Sequence, residues 1–470
     1  MIKQHPNPLN LVIIGGGFCG ALTAIHLLKE QDVSINIHLV HKGSAIGKGV
    51  AYDPYHSSLL LNVPNGRMSA FAEIPEHYTD WLKRNGDDCN EEPADLSAQF
   101  STRREYGNYI NALWLDALQQ IPSSKSVKIY DAYAMQVCEA EHGFEVHLSG
   151  TSSLSADVVI LATGNQLPGI PNGIDTALQQ SKYYFGNPWD EACITEFKED
   201  EDLLIIGNGL TMADTVLTLV DAGFKATIHT VSPRGYQLKP SKEDKEPYLS
   251  LDIPSLLKDK DNLLTLLNAF NKHRKIADGL SQSIYQGIDA VRPHAQKIWN
   301  SFDDQEKQQF IKRINSVWSS SRHRLPLQTY FTLEKYQHHK KLITHKGFIV
   351  NTKEEAGVVT ATLNCNGKTE QLNVQRIINC TGPNTDIKKQ SGTLLFNMEK
   401  AGLICRGPHH IGIKTSADDH CVISADGNVK ENLFVIGSNL KGSLWESTAV
   451  PELRLQAQKL AERILSSLIS

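Results

Sequence analysis

Gly15-Gly16-Gly17-Phe18-Cys19-Gly20 has the spacing G-x-G-x-x-G. In such a turn the first glycine allows a tight bend and the second lets the main chain approach a diphosphate. The third lets the following helix lie close on the preceding strand. A helix starting here would aim unpaired N–H groups, Phe18 and Cys19 among them, and a partial positive charge at the phosphates. A second turn, Gly207-Asn208-Gly209-Leu210-Thr211-Met212, keeps the first two glycines and places Met212 where the third would stand. Two dinucleotide turns in one chain point to electron transfer between two coenzymes, with the protein supplying binding and orientation.

The residues ending the second strand of each unit bear on which coenzyme each turn takes. An acid about 20 residues beyond the glycines normally accepts from the adenosine ribose. His41 stands at that place after the first turn; it either takes over one ribose bond or is a surface histidine at a strand end. After the second turn the strand ends in Val231-Ser232-Pro233-Arg234. No acid is present to select NAD, and Ser232 with Arg234 suits a 2′-phosphate, so the sequence predicts NADPH at this site.

No acid–base pair declares itself, and no catalytic residue is assigned from sequence. Cys19, Cys89, Cys138, Cys193, Cys365, Cys380, Cys405 and Cys421 are scattered singly. Without a C-x-x-C pair they read as reduced thiols, which argues against electron relay through neighbouring cysteines. His338-His339 and His409-His410 are adjacent pairs whose side chains point apart on a helix or strand, so no metal site is expected. Arg322-His323-Arg324 reads as a solvated basic loop, with an anion-binding role as the alternative.

These residues need particular elements to hold them. Leu9 to Ile14 is an apolar run entering the first glycine turn, followed by a helical pattern with Ala21, Ile25 and Leu28 on one face and an alternating strand over Val33 to Val40. That is a βαβ unit. Lys42 to Ile121 is rich in loops, with a helix over Tyr106 to Leu118. Val127 to Val137 and Phe144 to Leu148 read as a small meander, and Ala156 to Thr163 as a buried strand ending at Gly164. A second βαβ unit follows: strand Leu203 to Ile206, helix Leu210 to Ala222, strand Lys225 to Val231. Residues 241–345 read as a mostly helical insertion with Pro254, Pro293 and Pro326 as breakers. Later strands fall at Phe348 to Asn351, Val358 to Asn364, Arg376 to Cys380 and Leu433 to Ile436, and a helix over Val450 to Leu468 closes the chain.

The expected fold is α/β, with two nested Rossmann-like domains and a helical insertion. An FAD domain would be built from residues 1–165 and 376–470, and an NADPH domain from 166–375 would be inserted into it. Ala162-Thr163-Gly164 and Cys380-Thr381-Gly382, each ending an apolar strand, look like a matched pair of crossovers between them.

Composition narrows the field further. The 470 residues are 40% hydrophobic and 21% charged, with a net charge of -5. This is the balance of an ordinary globular protein and not of a nucleic-acid binder. The longest apolar runs are strand-sized, well short of the ~20 residues that span a bilayer, and Met1 to Asn10 is polar. The expectation is a soluble cytoplasmic protein that engages neither membrane nor nucleic acid.

With these motifs the chain resembles the bacterial FAD/NAD(P)-binding proteins with an N-terminal flavin fingerprint, and more distantly the flavin monooxygenases, including N-hydroxylases. The resemblance rests on the two glycine turns and on four further segments: Gly47-Lys48-Gly49-Val50-Ala51-Tyr52, Leu61-Asn62-Val63-Pro64 with Met68-Ser69, Arg104-Glu105-Tyr106-Gly107-Asn108-Tyr109, and Leu444-Trp445-Glu446-Ser447-Thr448 with Pro451-Glu452-Leu453-Arg454. It implies that loops carrying Lys48, Asn62 and Met68 cover the isoalloxazine, and that the C-terminal helix points at the pyrimidine edge of the flavin. Arg104 would join the cofactor site or, with Tyr106, simply cap and pack a helix; Trp445 and Glu446 would be flavin contacts or core plus a buried pair.

The pattern departs from the family twice. Tyr184-Phe185-Gly186-Asn187-Pro188-Trp189-Asp190 only partly echoes F-x-G-x-x-x-H, and Gly437-Ser438 replaces the usual Gly-Asp near the flavin ribityl and pyrophosphate. The implied activity is an NADPH-dependent, FAD-containing monooxygenase that uses molecular oxygen on a small nucleophilic substrate such as an amine. The alternatives are a flavin reductase or dehydrogenase that avoids oxygen, and a redox sensor that holds FAD without turnover.

Overall fold

The computed structural model describes residues 8–30, 33–43, 45–53, 58–85, 93–150, 152–195, 197–198, 201–241, 262–279, 284–416 and 419–469. Cys89 and Pro254 lie outside them. The chain forms two compact units, one from residues 1–166 with 384–470, the other from 167–383. No helix among the described residues is long and apolar enough to cross a membrane.

The first unit begins with β1 (Leu9–Ile14), α1 (Phe18–Lys29) and β2 (Ile35–Val40), then α2 (Arg103–Gln119), β3 (Lys125–Tyr130), β4 (Ala134–Glu139), β5 (Phe144–Leu148), β6 (Ser153–Ala156) and β7 (Val158–Leu161). β1 ends in four consecutive buried residues, the mark of a strand covered on both faces of a parallel sheet. The second unit supplies β8 (Tyr184–Phe185), β9 (Leu203–Ile206), α3 (Leu210–Asp221), β10 (Ile228–Ser232), β11 (Lys239–Pro240), β12 (Arg324–Leu325), β13 (Leu342–Glu355), β14 (Val358–Cys365), β15 (Lys368–Val374) and β16 (Arg376–Asn379). The chain then returns to the first unit with β17 (Cys421–Ile423), β18 (Val429–Val435) and the closing helix α4 (Val450–Ile469).

The first unit's main sheet runs β17-β18-β7-β1-β2-β3. All neighbours in it are parallel except β17, which pairs antiparallel with β18. α1 is buried on nearly every side, with Ala21, Leu22, Ala24 and Leu27 fully covered, because α2 and α4 both pack on it. The second unit's sheet runs β15-β14-β13-β10-β9-β16-β8. Its right half, β13-β10-β9-β16-β8, is parallel. β13 is long enough to leave that half and form an antiparallel hairpin array with β14 and β15.

Three expectations about strands and boundaries change. Residues 125–130 are the edge strand of the main sheet, paired in parallel with β2, and the meander is instead β4-β5-β6. The run from Ala156 to Thr163 breaks at Asp157, whose side chain accepts from Asn10 N, so its start belongs to the meander and its end to the sheet. The expected boundary at 376 lies at 384, because β16 sits inside the second sheet between β9 and β8.

Within 241–345 the described residues are mainly helical, over Leu263–Gly279, Ile284–Val291, Ala295–Ser301, Asp304–Gln309, Asn315–Arg322 and Leu327–His338. Arg322 is buried and Arg324 pairs with Asp289, which overturns the reading of this basic stretch as a solvated loop.

Candidate functional site

In the first unit, β1 runs straight into the glycine turn. Gly15 has φ +110°, and a Cβ there would stand 2.2 Å from Ala162 O. The strand end at Ala162-Thr163 therefore presses on the turn, and glycine is required on both counts. A Cβ on Gly20 would lie 1.9 Å from Gly15 O, the close helix-to-strand approach expected of a third glycine. Gly17 differs: the nearest atom to its Cβ position is Gly49 Cα at 3.7 Å. Gly17 also begins α1 without a side-chain cap, and no acid stands in the helix's first turn. Uncapped N–H groups and open space beside Gly17 suit a bound anion.

The second unit repeats this geometry. Gly207 has φ +116°, with its Cβ position 2.3 Å from Cys380 O. Gly209 begins α3, again with no side-chain cap and no acid in the first turn, and nothing lies within 4 Å of its Cβ position. The N-cap conformations match, φ -72° and ψ -166° at Gly17 against φ -91° and ψ -168° at Gly209. Met212 is buried in the unit's core, so here a side chain fills the helix-to-strand contact that Gly20 leaves closed. Leu210 and Thr211 form the first turn of α3. Asn208 Nδ2 donates to Tyr236 O, while its Oδ1 is buried without a partner.

His41 packs on the first turn: Gly16 N donates to its Nδ1 at 3.2 Å. An accepting Nδ1 puts the proton of the neutral ring on Nε2, so one ring nitrogen is committed to holding the turn. In the second unit Ser232 Oγ accepts from Gly235 N. Arg234 donates from Nη1 to Arg313 O and from Nη2 to Lys312 O, at 3.3 and 3.2 Å. These carbonyls lie in a π-helical turn, Phe310–Ile314, so the end of β10 adjoins the backbone of two further basic residues.

The C-terminal strand contributes residues that sequence reasoning missed. Gly437 has φ +88°, and its Cβ position is 3.2 Å from Cys19 Sγ, which sets the end of β18 against the first turn of α1. Ser447 Oγ donates to Gly437 O, and Gly437 N donates to Gln456 Oε1 on α4. Asn439 Nδ2 donates to Thr163 Oγ1 and Gly164 O, binding the two strand ends together. Ser438 Oγ is buried without a partner, an orphaned hydroxyl beside the turn that a phosphate or ribityl oxygen would satisfy. Gly437-Ser438 was visible as a strand-ending turn and Ser447 stood within a segment that carries the resemblance, but nothing local in the sequence marks Asn439 or Gln456.

The remaining expected residues separate. Lys48 Nζ lies 3.9 Å from Asp53 Oδ1, and Asn62 is half-buried. Met68 and Phe18 belong to the hydrophobic core; Phe18 packs against Tyr52 and Tyr106. Arg104 is exposed on α2, whose N-cap is Thr102. Gly107 explains much of the segment it belongs to, because a Cβ there would meet Tyr52 O at 2.2 Å. Arg454 on α4 donates to Ser69 O at 2.8 Å. Trp445 and Glu446 are buried, with Lys441 Nζ 5.0 Å from the indole centre; burial lowers the Lys441 pKa and Glu446 opposes the shift. Burial pushes the Cys19, Cys193 and Cys380 thiols up to about 12, so none is a ready nucleophile at neutral pH.

Residues 12–166 match the family described as FAD-NAD(P)-binding. The N-terminal segment is thus similar to FAD/NAD(P)-binding domains, and the chain as a whole has an α/β fold. No curated protein matches. Among solved structures, an ornithine N-hydroxylase of Kutzneria sp. 744, determined with reduced FAD, NADP+ and L-ornithine, is similar at TM-score 0.65 and 13% identity, over 98% of this chain and 100% of that one. An L-lysine 6-monooxygenase of Pseudomonas syringae is similar at TM-score 0.61 and 15% identity, over 99% and 100%. A bacillithiol disulfide reductase of Staphylococcus aureus is similar at TM-score 0.57 and 12% identity, over 98% and 99%. At these identities the likeness is one of fold.

Proposed function

We propose that the chain is an NADPH-dependent, FAD-containing oxidoreductase, with FAD on the first unit and NADPH on the second. The observation that carries this reading is the repetition of one device: a glycine locked by a crossing strand, then an uncapped helix start beside an open Cβ position. When bound, FAD supplies two-electron redox chemistry and the activation of oxygen, and NADPH supplies the reducing electrons. The protein's part is placement. Gly17 and the α1 N-terminus would take the FAD diphosphate, with Gly437 and Ser438 beside it; Thr163 and Gly164, held by Asn439, would keep the crossing strand against the turn. Gly209, Leu210 and Thr211 would take the NADPH diphosphate, with Ser232 and Arg234 facing the 2′-phosphate.

The finer reading is a monooxygenase acting on a small amine. The solved structures that share the fold include enzymes named for ornithine, lysine and cadaverine, and the deeply buried thiols offer no cysteine relay. A flavin reductase is the second reading, favoured by the similarity to a disulfide reductase. Absorbance of the purified protein tests the core claim: a yellow protein bleached by NADPH and hardly by NADH is expected, and a colourless protein that takes up no added flavin refutes it. Oxygen consumption then separates the two readings. Stoichiometric hydroxylated amine per NADPH supports the monooxygenase; turnover of NADPH with an organic acceptor but no hydroxylated product supports the reductase.

A further inference from the structure

Asp202, His229, His345, Cys365 and Glu370 reach one region of the second unit from five places: the residue before β9, then β10, β13, β14 and β15. Asp202 precedes β9 and Gly207 follows it, so the row starts at the opposite end of that strand from the glycine turn. The ring of His229 meets that of His345, Nδ1 to Nε2, at 3.0 Å. The outer nitrogen of each ring faces a carboxylate: His229 Nε2 lies 3.6 Å from Asp202 Oδ2, and His345 Nδ1 lies 3.3 Å from Glu370 Oε2. One ligand atom from each of His345, Cys365 and Glu370 lies within 4.8 Å of the other two. Both imidazoles and the thiol are largely withdrawn from water, while Glu370 is 47% exposed.

A proton count leaves this row one positive group short. Two neutral imidazoles carry two N–H bonds, but the row has three contacts: carboxylate to ring, ring to ring, and ring to carboxylate. If His229 Nε2–H faces Asp202 and His345 Nε2–H donates to His229 Nδ1, the lone pair of His345 Nδ1 is left facing the Glu370 carboxylate. A third proton would place a charge on one of two rings that touch each other and are largely withdrawn from water. A cation between His345 and Glu370 satisfies every contact.

The distance also fits a cation. Two zinc bonds of ~2.0 Å at the tetrahedral angle place their ligand atoms about 3.3 Å apart, the observed His345–Glu370 separation. A thiolate alongside an imidazole selects a borderline or soft divalent ion over magnesium or calcium. We propose that His345 Nδ1, Cys365 Sγ and a Glu370 carboxylate oxygen bind a divalent cation of the zinc class, with the fourth position open to solvent. His229 and Asp202 are positioning residues that fix the His345 tautomer, as outer hydrogen-bond partners do in metal sites. Binding converts the Cys365 thiol to a metal-bound thiolate and releases one proton to solvent.

Sequence gave no hint of this site because its ligands stand far apart in the chain, and only the β13-β14-β15 array brings them together. The proposal does not depend on the redox reading, since neither flavin nor NADPH binding is its readout. The test is a cobalt titration of the full-length protein after chelator treatment, followed by difference absorbance. One equivalent of Co2+ should bind, with a thiolate-to-cobalt charge-transfer band and the intense visible bands of a four-coordinate ion, and with release of about one proton at pH 7. Zn2+ should displace it. Cys365→Ser should abolish the charge-transfer band. Glu370→Gln, at an exposed side chain, should fold normally and raise the Kd at least about tenfold, and His229→Phe should raise it roughly 10- to 100-fold. The absence of a stoichiometric cobalt spectrum, a charge-transfer band that survives Cys365→Ser, or a Kd unchanged by Glu370→Gln would each overturn the proposal.

Discussion

Gly209→Ala separates the two demands that a glycine turn makes. The added methyl meets nothing within 4 Å, and φ -91°, ψ -168° is extended backbone open to any L-residue. With no clash and no strain, alanine gains about 0.4–1 kcal/mol by reducing the freedom of the unfolded chain, but at a helix N-cap it loses a comparable amount relative to glycine. The melting temperature should therefore move by no more than roughly 4 °C in either direction. The same methyl occupies the space through which a diphosphate approaches the main chain. Losing one charge-assisted bond there costs about 1.5–3 kcal/mol, or roughly 10- to 100-fold in NADPH affinity. Gly207→Ala is the contrast: φ +116° and a Cβ 2.3 Å from Cys380 O should destabilise the unit whether or not a nucleotide is present. The assay is thermal melting without nucleotide, paired with an NADPH titration and a check that flavin content is unchanged. If Gly209→Ala melts normally and binds NADPH as the parent does, the second turn is not the diphosphate site and the reasoning fails.

Further outcomes follow from other residues. Arg234→Ala, at an exposed side chain, should change stability by less than about 0.5 kcal/mol and reduce the preference for NADPH over NADH by roughly 10- to 100-fold; equal Michaelis constants before and after would remove Arg234 from the 2′-phosphate site. Ser438→Ala should leave the flavin-free protein as stable as before or slightly more so, because the lost hydroxyl has no partner, while lowering retained FAD through size-exclusion chromatography. His26 and His420 are both held down to about 4 by burial. The unfolded chain therefore binds more protons than the folded one between about pH 6.5 and 4, and stability falls as pH drops through that window. His420 has φ +59°, a conformation asparagine tolerates, so the melting temperature of His420→Asn should decline less between pH 7 and pH 5. An unaltered slope would show that His420 does not titrate in that range.

What the sequence made legible was what the backbone itself dictates. Gly15 and Gly207 sit where a crossing carbonyl excludes any Cβ, and that requirement is written in the chain as an apolar run ending in glycine. The pairing of Ala162-Thr163-Gly164 with Cys380-Thr381-Gly382 was legible for the same reason, and the structure gives almost identical contacts at the two glycines. Side-chain partnerships between remote segments were not legible. Asn439 binds Thr163 and Gly164 from the far end of the chain, and no local pattern announces it. β3 was assigned to the meander because its composition suits either sheet, and only pairing with β2 decides the matter. Arg322 looked solvated because charge usually is; its burial is a property of the helices around it. His41 was read as a ribose ligand or a surface residue, and its bond from Gly16 N is a third use that spacing alone could not suggest.

The nesting of the units bears on the order in which the protein can be made. Every strand of the second unit's sheet lies between residues 184 and 379, so that unit can close as soon as it leaves the ribosome. The first unit cannot: β18 must join β7, and α4 must cover α1, before its sheet and its helix are sealed. Until α4 emerges, the side of α1 that it packs on awaits its cover, and nascent chains stalled at that point are the ones most exposed to aggregation. The inserted unit is accordingly the piece suited to expression alone, and truncation of the C-terminal helix the change least compatible with recovering intact protein.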